Sequence, residues 1–90
     1  MQWVFQPRRA DKAYRCPCCK FKTLHERGGF EICPVCFWED DGQDEADADR
    51  VLGGPNYNLS LRQAQQNFKR IGAMDERVLP HVRSPLPDEL

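Results

Sequence analysis

The sequence predicts a small metal-bound α+β domain, in which a zinc-ribbon or rubredoxin-like hairpin of two cysteine knuckles packs against one amphipathic helix. Two observations predict this fold. Four of the five cysteines form two Cys-x-x-Cys pairs separated by 13 residues, and residues 60–72 repeat apolar side chains at helical spacing. The chain of 90 residues has the length of one domain with a small core, which a bound metal would help to hold together.

The cysteine pairs, Cys16/Cys19 and Cys33/Cys36, predict a structural Cys₄ zinc site. A gap of two residues lets both sulfurs of a pair reach one ion from a single tight turn. Proline follows the first cysteine of each pair, where its fixed φ favours the turn and its missing N–H leaves later amides free to point at sulfur. One zinc per chain is the expected cofactor, with iron less favoured and free or disulfide-bonded cysteines as the non-metal interpretation.

Composition favours a soluble protein of a reducing, cytoplasmic compartment. The N-terminus lacks a basic stretch followed by a long apolar run, no apolar run is long enough to span a membrane, and the number of cysteines is odd. Residues 31–49 carry eight acidic and no basic side chains, whereas residues 1–30 carry seven basic and two acidic ones. With a formal net charge of −1, the chain lacks the composition of a strong nucleic-acid binder.

The metal-binding ribbon is predicted over about residues 14–38. Residues 20–24 and 30–33 alternate polar and apolar side chains, which is typical of half-buried strands, and Gly28-Gly29 would supply positive φ for a hairpin loop between them. The apolar residues expected to face or cover the core are Phe21, Phe30 and Ile32 beside the zinc, and Trp3 and Phe5 from the N-terminus.

Three further elements are predicted after the ribbon: an acidic loop over 39–49, a helix over about 60–72 and an irregular tail over 73–90. The helix is the best-defined element, because Ser60 and Gln63 form a capping box and Gly72 is suited to end it. Its apolar stripe, expected to pack on the ribbon, consists of Leu61, Ala64, Phe68 and Ile71. The whole chain, 1–90, is expected to form a single domain.

Several motifs occur together: Cys16-Pro17-Cys18-Cys19, then Gly28-Gly29-Phe30-Glu31-Ile32-Cys33-Pro34-Val35-Cys36-Phe37-Trp38-Glu39-Asp40-Asp41-Gly42-Gln43-Asp44, then Gly54-Pro55-Asn56 and Leu59-Ser60-Leu61. In this combination, over about residues 14–85, the chain closely resembles the bacterial cysteine-rich CPCC family. Lys20 departs from the pattern, because glycine often follows the first knuckle in that family. The resemblance implies a bacterial source and a zinc-ribbon-like or rubredoxin-like metal domain, and it implies no particular activity.

The acidic loop and the aromatic pair before it predict a surface for a protein partner. Phe37 and Trp38 would be its anchors, and the carboxylates that would form a polar rim for a basic partner are those of Asp40, Asp41 and Asp44. The same residues also fit a solvated loop beside two ordinary core aromatics, and the run lacks the register of a calcium-binding EF-hand. The first predicted function is therefore a structural zinc-binding module that acts as an interaction or adaptor domain.

Other functions remain open at this point. A nucleic-acid-binding zinc ribbon is the second choice, because basic residues alternate with aromatic ones in the N-terminal third of the chain; the cations concerned are Arg8, Arg9, Lys12, Arg15, Lys20, Lys22 and Arg27. A rubredoxin-like electron carrier would use the same knuckles with iron. A hydrolase built from His25 and the carboxylates of the acidic loop is the least favoured, because the sequence has no recognisable catalytic constellation.

Three potential ligands lie outside the four-cysteine set. Cys18 is interpreted first as a small packing residue behind the knuckle, and second as a redox or metal-relay thiol near Lys20 and Lys22. His25 and His81 are expected to be loop or surface residues, since four cysteines already complete a metal shell.

Overall fold

The computed structural model describes residues 12–90, so the predictions for Trp3, Phe5, Arg8 and Arg9 lie outside the described residues. The helices are an α-helix, α1, over Leu61–Ile71 and 3₁₀ helices over Glu45–Asp47, Gly54–Asn56, Glu76–His81 and Pro87–Glu89. Extended pairing in this part of the chain is limited to three isolated antiparallel bridges, Tyr14↔Leu24, Ile32↔Glu39 and Val51↔Ser60. None of the helices between residues 12 and 90 is long and apolar enough to cross a membrane.

The first knuckle folds back on itself. The Lys20 N–H donates to the Cys16 carbonyl at 2.8 Å, which closes the turn around the cysteines. Just outside this turn the Cys16 N–H donates to the Phe21 carbonyl at 2.9 Å. Tyr14 and Leu24 then exchange two main-chain hydrogen bonds at 3.0 and 3.1 Å. Residues 14–16 are therefore paired with residues 21–24 of the same knuckle.

The second knuckle repeats this construction. The Phe37 N–H donates to the Cys33 carbonyl at 2.8 Å, and the Cys33 N–H donates to the Trp38 carbonyl at 2.9 Å. The bridge between Ile32 and Glu39 continues the pairing outward. In each knuckle, the segment before the cysteine pair is thus hydrogen-bonded to the segment after it. The predicted hairpin between residues 20–24 and 30–33 is not confirmed.

The residue after the second cysteine of each knuckle has a left-handed backbone. Lys20 has a φ of 71° and Phe37 a φ of 73°. This conformation costs a residue with a Cβ roughly 1–2 kcal/mol, which is why glycine suits the position. Lys20 therefore keeps the turn that glycine would form, at a cost in conformational strain.

Helix α1 begins and ends as the sequence predicts. The Ser60 side chain accepts a hydrogen bond from the Gln63 N–H, and the Gln63 side chain accepts one from the Ser60 N–H at 2.9 Å. The two exchanged bonds satisfy amides that the first turn of a helix leaves unpaired. At the other end Gly72 has a φ of 80°, the left-handed conformation that terminates the helix.

The apolar stripe of α1 packs on the knuckles. Leu61 and Ala64 are completely buried, while Phe68 and Ile71 are partly buried against the same core. The ring of Phe68 meets that of Phe21 edge to face, with centroids 6.2 Å apart. This contact places the helix against the first knuckle, and the predicted packing of the stripe is confirmed.

Phe30 and Ile32 do not face the core, and their predicted burial is wrong. Their side chains are 56% and 44% exposed. The alternation read from the sequence is real, but Cys33 must point into the cysteine cluster. In an extended segment its neighbour Ile32 then points the opposite way. Phe30 has a left-handed φ of 63°, so the alternation of a strand does not extend to it.

The C-terminal segment is more regular than predicted. Residues 73–90 contain two 3₁₀ helices, Glu76–His81 and Pro87–Glu89, where an irregular tail was expected. Val78 and Met74 are buried in the core, and the Met74 N–H donates to the Cys36 carbonyl at 2.9 Å. The segment therefore forms one wall of the domain beside the second knuckle.

A buried glutamate, Glu89, connects the C-terminal segment 73–90 to the first knuckle. Glu89 is fully buried, and its two oxygens accept hydrogen bonds from the Arg83 guanidinium at 2.8 and 2.9 Å. Lys12 Nζ lies 3.0 Å from the same carboxylate, and the Leu86 N–H donates to it at 2.8 Å. The Lys22 N–H donates to the Glu89 carbonyl at 2.7 Å, so residues far apart in sequence are joined at this point.

Neutralising Glu89 is expected to destabilise the fold in a pH-dependent way. The hydrogen bonds from Arg83, opposed by burial, lower the pKa of Glu89 from 4.5 to about 2. A depressed carboxyl pKa contributes stability above the unfolded value and loses it as the pH falls from about 4.5 towards 2. Glu89→Gln should therefore lower the melting temperature at neutral pH, and its difference from the wild type should shrink below about pH 4.5.

The matched control is Asp88→Asn, because the Asp88 side chain is 65% exposed. It should change the melting temperature little at any pH. Both variants share the same cysteine cluster, so acid effects on that cluster cancel in the comparison. A Glu89→Gln difference that stays constant from neutral pH to about pH 3 would contradict the expectation.

Candidate metal centre

The side chains of Cys16, Cys19, Cys33 and Cys36 meet at one place. Their four sulfurs lie within 4.8 Å of one another, with Sγ–Sγ distances of 3.6 Å between Cys16 and Cys36 and 3.7 Å between Cys19 and Cys33. A tetrahedral ion with metal–sulfur bonds of about 2.3 Å holds its sulfurs roughly 3.8 Å apart. The four cysteines could therefore hold a metal ion, and tetrahedral sulfur sites of this kind suit zinc or iron.

Hydrogen bonds within and around the second knuckle support its sulfurs. The Val35 N–H donates to Cys33 Sγ at 3.4 Å, and the Trp38 N–H donates to Cys36 Sγ at 3.5 Å. The hydroxyl of Thr23, from the first knuckle, lies 3.0 Å from Cys33 Sγ. Donors of this kind stabilise negative charge on sulfur and orient it towards an ion. The amide contacts agree with the turn predicted from the proline, whereas no sequence signal pointed to Thr23.

The pKa values of two cluster thiols are shifted in opposite directions. Hydrogen bonds from Cys16, and then from Cys19 and Cys36, hold the pKa of Cys33 well below its usual range. Burial, followed by a hydrogen bond from Cys16, raises the pKa of Cys36. A divalent cation that binds here must displace the remaining thiol protons, so its affinity falls in acid.

The cluster is closed on almost every side. Cys16, Cys33 and Cys36 have no exposed surface, and Cys19 is 7% exposed. Four protein thiolates fill a tetrahedral shell and leave no position for water or substrate. The donor set therefore suits an ion that holds the knuckles together.

The fifth cysteine, Cys18, and the two histidines lie outside this four-residue group. Cys18 is buried, in agreement with its interpretation as a packing residue. His25 Nδ1 lies 2.6 Å from Glu31 Oε2, and its main-chain N–H donates to Glu31 Oε1 at 2.8 Å. The His81 ring stacks on the partly buried ring of Phe37, with centroids 5.3 Å apart.

Two residues of the predicted partner surface are buried. Trp38 has no exposed surface, so it is a core aromatic and cannot anchor a partner. Asp40 is also fully buried, and its Oδ2 accepts hydrogen bonds from Arg27 Nε at 3.0 Å and from the Gly28 N–H at 2.6 Å. Its Oδ1 accepts one from the Gly42 N–H at 3.2 Å. Asp40 therefore joins two loops and contributes nothing to a rim.

Two further carboxylates of the acidic loop, those of Asp41 and Asp44, accept main-chain hydrogen bonds that fix the conformation of the loop. Asp41 accepts a hydrogen bond from the Gln43 N–H at 3.1 Å, and Asp44 accepts one from the Glu45 N–H at 2.9 Å. Arg27 reaches Asp44 at 3.1 Å and the Gln43 carbonyl at 3.0 Å. The Glu45 amide and then Arg27 lower the pKa of Asp44. Arg27 thus acts as the internal counter-cation of the loop, while Asp44 keeps an exposed edge.

Four of the seven basic residues of the alternative nucleic-acid surface make side-chain contacts within the described part of the chain. Lys12 binds Glu89, Arg15 binds the main-chain carbonyl of Lys20, Lys20 binds Glu45, and Arg27 binds Asp40. Phosphate binding would have to compete with these contacts, which weakens the case for that surface.

Comparison with curated proteins found no match. The family model described as Cysteine-rich CPCC matches residues 14–89. That span covers most of the chain and includes both knuckles, the acidic loop, α1 and the Glu89 contact. The resemblance predicted from the sequence motifs is confirmed, and the chain belongs to the Cysteine-rich CPCC family.

Proposed function

We propose that this chain is a structural zinc-binding module of the zinc-ribbon or rubredoxin-like type. The observation that carries the proposal is the meeting of four buried sulfurs within 4.8 Å of one another. A closed Cys₄ shell usually holds zinc and stabilises a fold without reacting. The two knuckles, each folded on itself, need such a link between them because little regular secondary structure joins them.

The metal is tested by elemental analysis of freshly purified protein, together with its visible spectrum. We expect one zinc per chain and a colourless protein. Protein that is red and contains iron would replace this proposal by that of an electron carrier. The observation that favours this second function is the 7% exposure of Cys19, since electrons must leave through a short path to the surface.

On this scaffold we infer a protein-interaction role, with a basic partner. Trp38 and Asp40 are excluded from the surface by their burial, but other positions of the acidic loop remain exposed. Asp44 and Asp49 are exposed there, and the exposed apolar side chains of Val51 and Leu52 follow within a few residues. Carboxylates beside apolar side chains provide the polar rim and apolar centre that interfaces use.

Affinity capture with the zinc-loaded protein, followed by kinetic binding measurements on the captured partner, tests this role. Asp44→Asn with Asp49→Asn should mainly slow association, because rim charges steer encounter, and Leu52→Ala should mainly speed dissociation. Glu76→Gln, an exposed carboxylate in another element, is the matched control and should change neither rate. Equal effects of all these substitutions would contradict the assignment of the surface.

The competing functions predict different results. Nucleic-acid binding would show a steep loss of affinity with salt and would be abolished by Arg15→Glu with Lys22→Glu. Such a result would favour nucleic-acid binding over the protein-interaction role. A hydrolase has the least support, because Asp40 and Asp44 are engaged by Arg27 and His25 is engaged by Glu31.

A further inference from the structure

The side chain of Thr23 connects the two knuckles at the cysteine cluster. Thr23 belongs to the first knuckle, and its hydroxyl lies 3.0 Å from the sulfur of Cys33 in the second. Thr23 is 2% exposed, and Cys33 has no exposed surface. Among residues 12–90 the hydroxyl has no other hydrogen-bond partner. The state of the Cys33 sulfur therefore decides which of the two groups is the donor.

Binding of a metal ion would fix the direction of this hydrogen bond. A cysteine that binds a metal is a thiolate, which has no proton to donate. The Thr23 hydroxyl is then the donor and Cys33 Sγ the acceptor. A hydroxyl that donates to sulfur withdraws negative charge from it and fixes its orientation. Thr23 would therefore act on the ion through Cys33, without a bond of its own to the metal.

Main-chain hydrogen bonds hold Thr23 in position. The Thr23 N–H donates to the Phe21 carbonyl at 2.9 Å. Before it, the Lys22 N–H donates to the Glu89 carbonyl at 2.7 Å. After it, Leu24 takes part in the bridge that closes the first knuckle. Three consecutive residues are thus fixed by the backbone, so the hydroxyl is directed at the sulfur before any ion binds.

The donors around the four clustered sulfurs are unevenly distributed. Cys33 Sγ is reached by the Thr23 hydroxyl and by the Val35 N–H at 3.4 Å. Within the part of the chain that the structure describes, Cys16 Sγ and Cys19 Sγ make hydrogen-bond contacts only with other sulfurs of the cluster. Negative charge is therefore withdrawn from Cys33 more than from the sulfurs of the first knuckle.

We propose that Thr23 is a positioning residue of the metal centre, an inference that rests on the proposed metal site. Four thiolates around a divalent ion leave a net charge of about −2 in a buried shell. The Thr23 hydroxyl compensates part of this charge and so strengthens metal binding, because a buried charge is stabilised by each donor that reaches it. The same contact makes Thr23 a link between the knuckles.

The test compares the wild type with Thr23→Val, which keeps the shape of the side chain but cannot donate, and with Thr23→Ser, which keeps the hydroxyl. Zinc dissociation constants are measured by competition with a chromogenic chelator. We expect Thr23→Val to raise the zinc dissociation constant roughly tenfold, whereas Thr23→Ser should stay close to the wild type.

A spectroscopic measurement separates this role from packing. The sulfur-to-metal charge-transfer bands of the cobalt(II)-loaded proteins report how readily the sulfurs give up an electron. In Thr23→Val these bands should move to longer wavelength, because a thiolate without its donor is oxidised more easily. Val35→Ala is the matched control, since Val35 is 2% exposed and the substitution keeps the N–H that donates to Cys33 Sγ. It should lower the stability of the fold without moving the bands.

Unmoved bands in Thr23→Val would overturn the inference, because a role in packing alone leaves the sulfur unchanged. An unchanged zinc dissociation constant in that variant would overturn it as well. A wild-type protein that binds neither zinc nor cobalt(II) would instead overturn the proposed metal site, so the two failures are distinguishable.

Discussion

Replacing any one of the four cluster cysteines by serine is expected to remove both the bound zinc and the cooperative unfolding transition. At the proposed metal site an ion would link the two knuckles, so its binding energy would also be folding energy. Cys33→Ser should be the most damaging variant. Cys33 Sγ accepts a hydrogen bond from Val35 and contacts Thr23 at 3.0 Å, and the shorter side chain of serine would lengthen both contacts.

The check is the zinc content of each variant together with its thermal unfolding followed by circular dichroism. Cys18→Ser is the matched control, because Cys18 is buried but lies outside the four-sulfur group; it should keep both zinc and the transition. A strong chelator should have the same effect on the wild type as Cys33→Ser. A metal-free variant that melts like the wild type would show that the cluster is not the source of stability.

Trp38→Ala should destabilise the zinc-loaded protein by about 3–5 kcal/mol, the range for removing a large buried aromatic side chain. Trp38 has no exposed surface and is the largest of the fully buried side chains. It also follows the second knuckle directly, and its amide supports Cys36 Sγ. Denaturant unfolding at constant free zinc measures the change in the free energy of unfolding.

Trp38→Phe is the informative control. The indole Nε1 is buried and has no hydrogen-bond partner among residues 12–90, a situation that costs about 1–3 kcal/mol. Phenylalanine removes that cost and leaves only a small gap, so the loss should stay below about 1.5 kcal/mol. If Trp38→Ala is as mild as Trp38→Phe, Trp38 does not belong to the core.

The features that the sequence predicted correctly are local ones. The cysteine spacing and its prolines define turns of a few residues, and Ser60, Gln63 and Gly72 define the ends of α1 by contacts within three or four residues. Such contacts depend on short-range geometry, which residue types and spacing determine. The four ligand candidates and the helix could therefore be identified without the structure.

The features that were missed depend on contacts between distant residues. Asp40 lies in a run of carboxylates typical of an exposed loop, yet Arg27, 13 residues earlier, reaches it and permits its burial. Glu89 is buried because Lys12, 77 residues away, and Arg83 converge on it. Ile32 shows the same limit for extended segments, because alternation identifies two faces and only the contacts of the folded chain decide which face is buried.

The self-contained pairing of each knuckle has a consequence for how quickly the native state appears. The bridges Tyr14↔Leu24 and Ile32↔Glu39 close short loops, which costs little chain entropy and takes on the order of microseconds or less. Each knuckle can then present two sulfurs as a half-site before the other has formed. At the proposed metal site, the slow event would be the capture of an ion by one half-site and its binding by the second. Maturation of this chain should therefore behave as a second-order reaction, whose rate rises in proportion to the free metal concentration when metal is scarce.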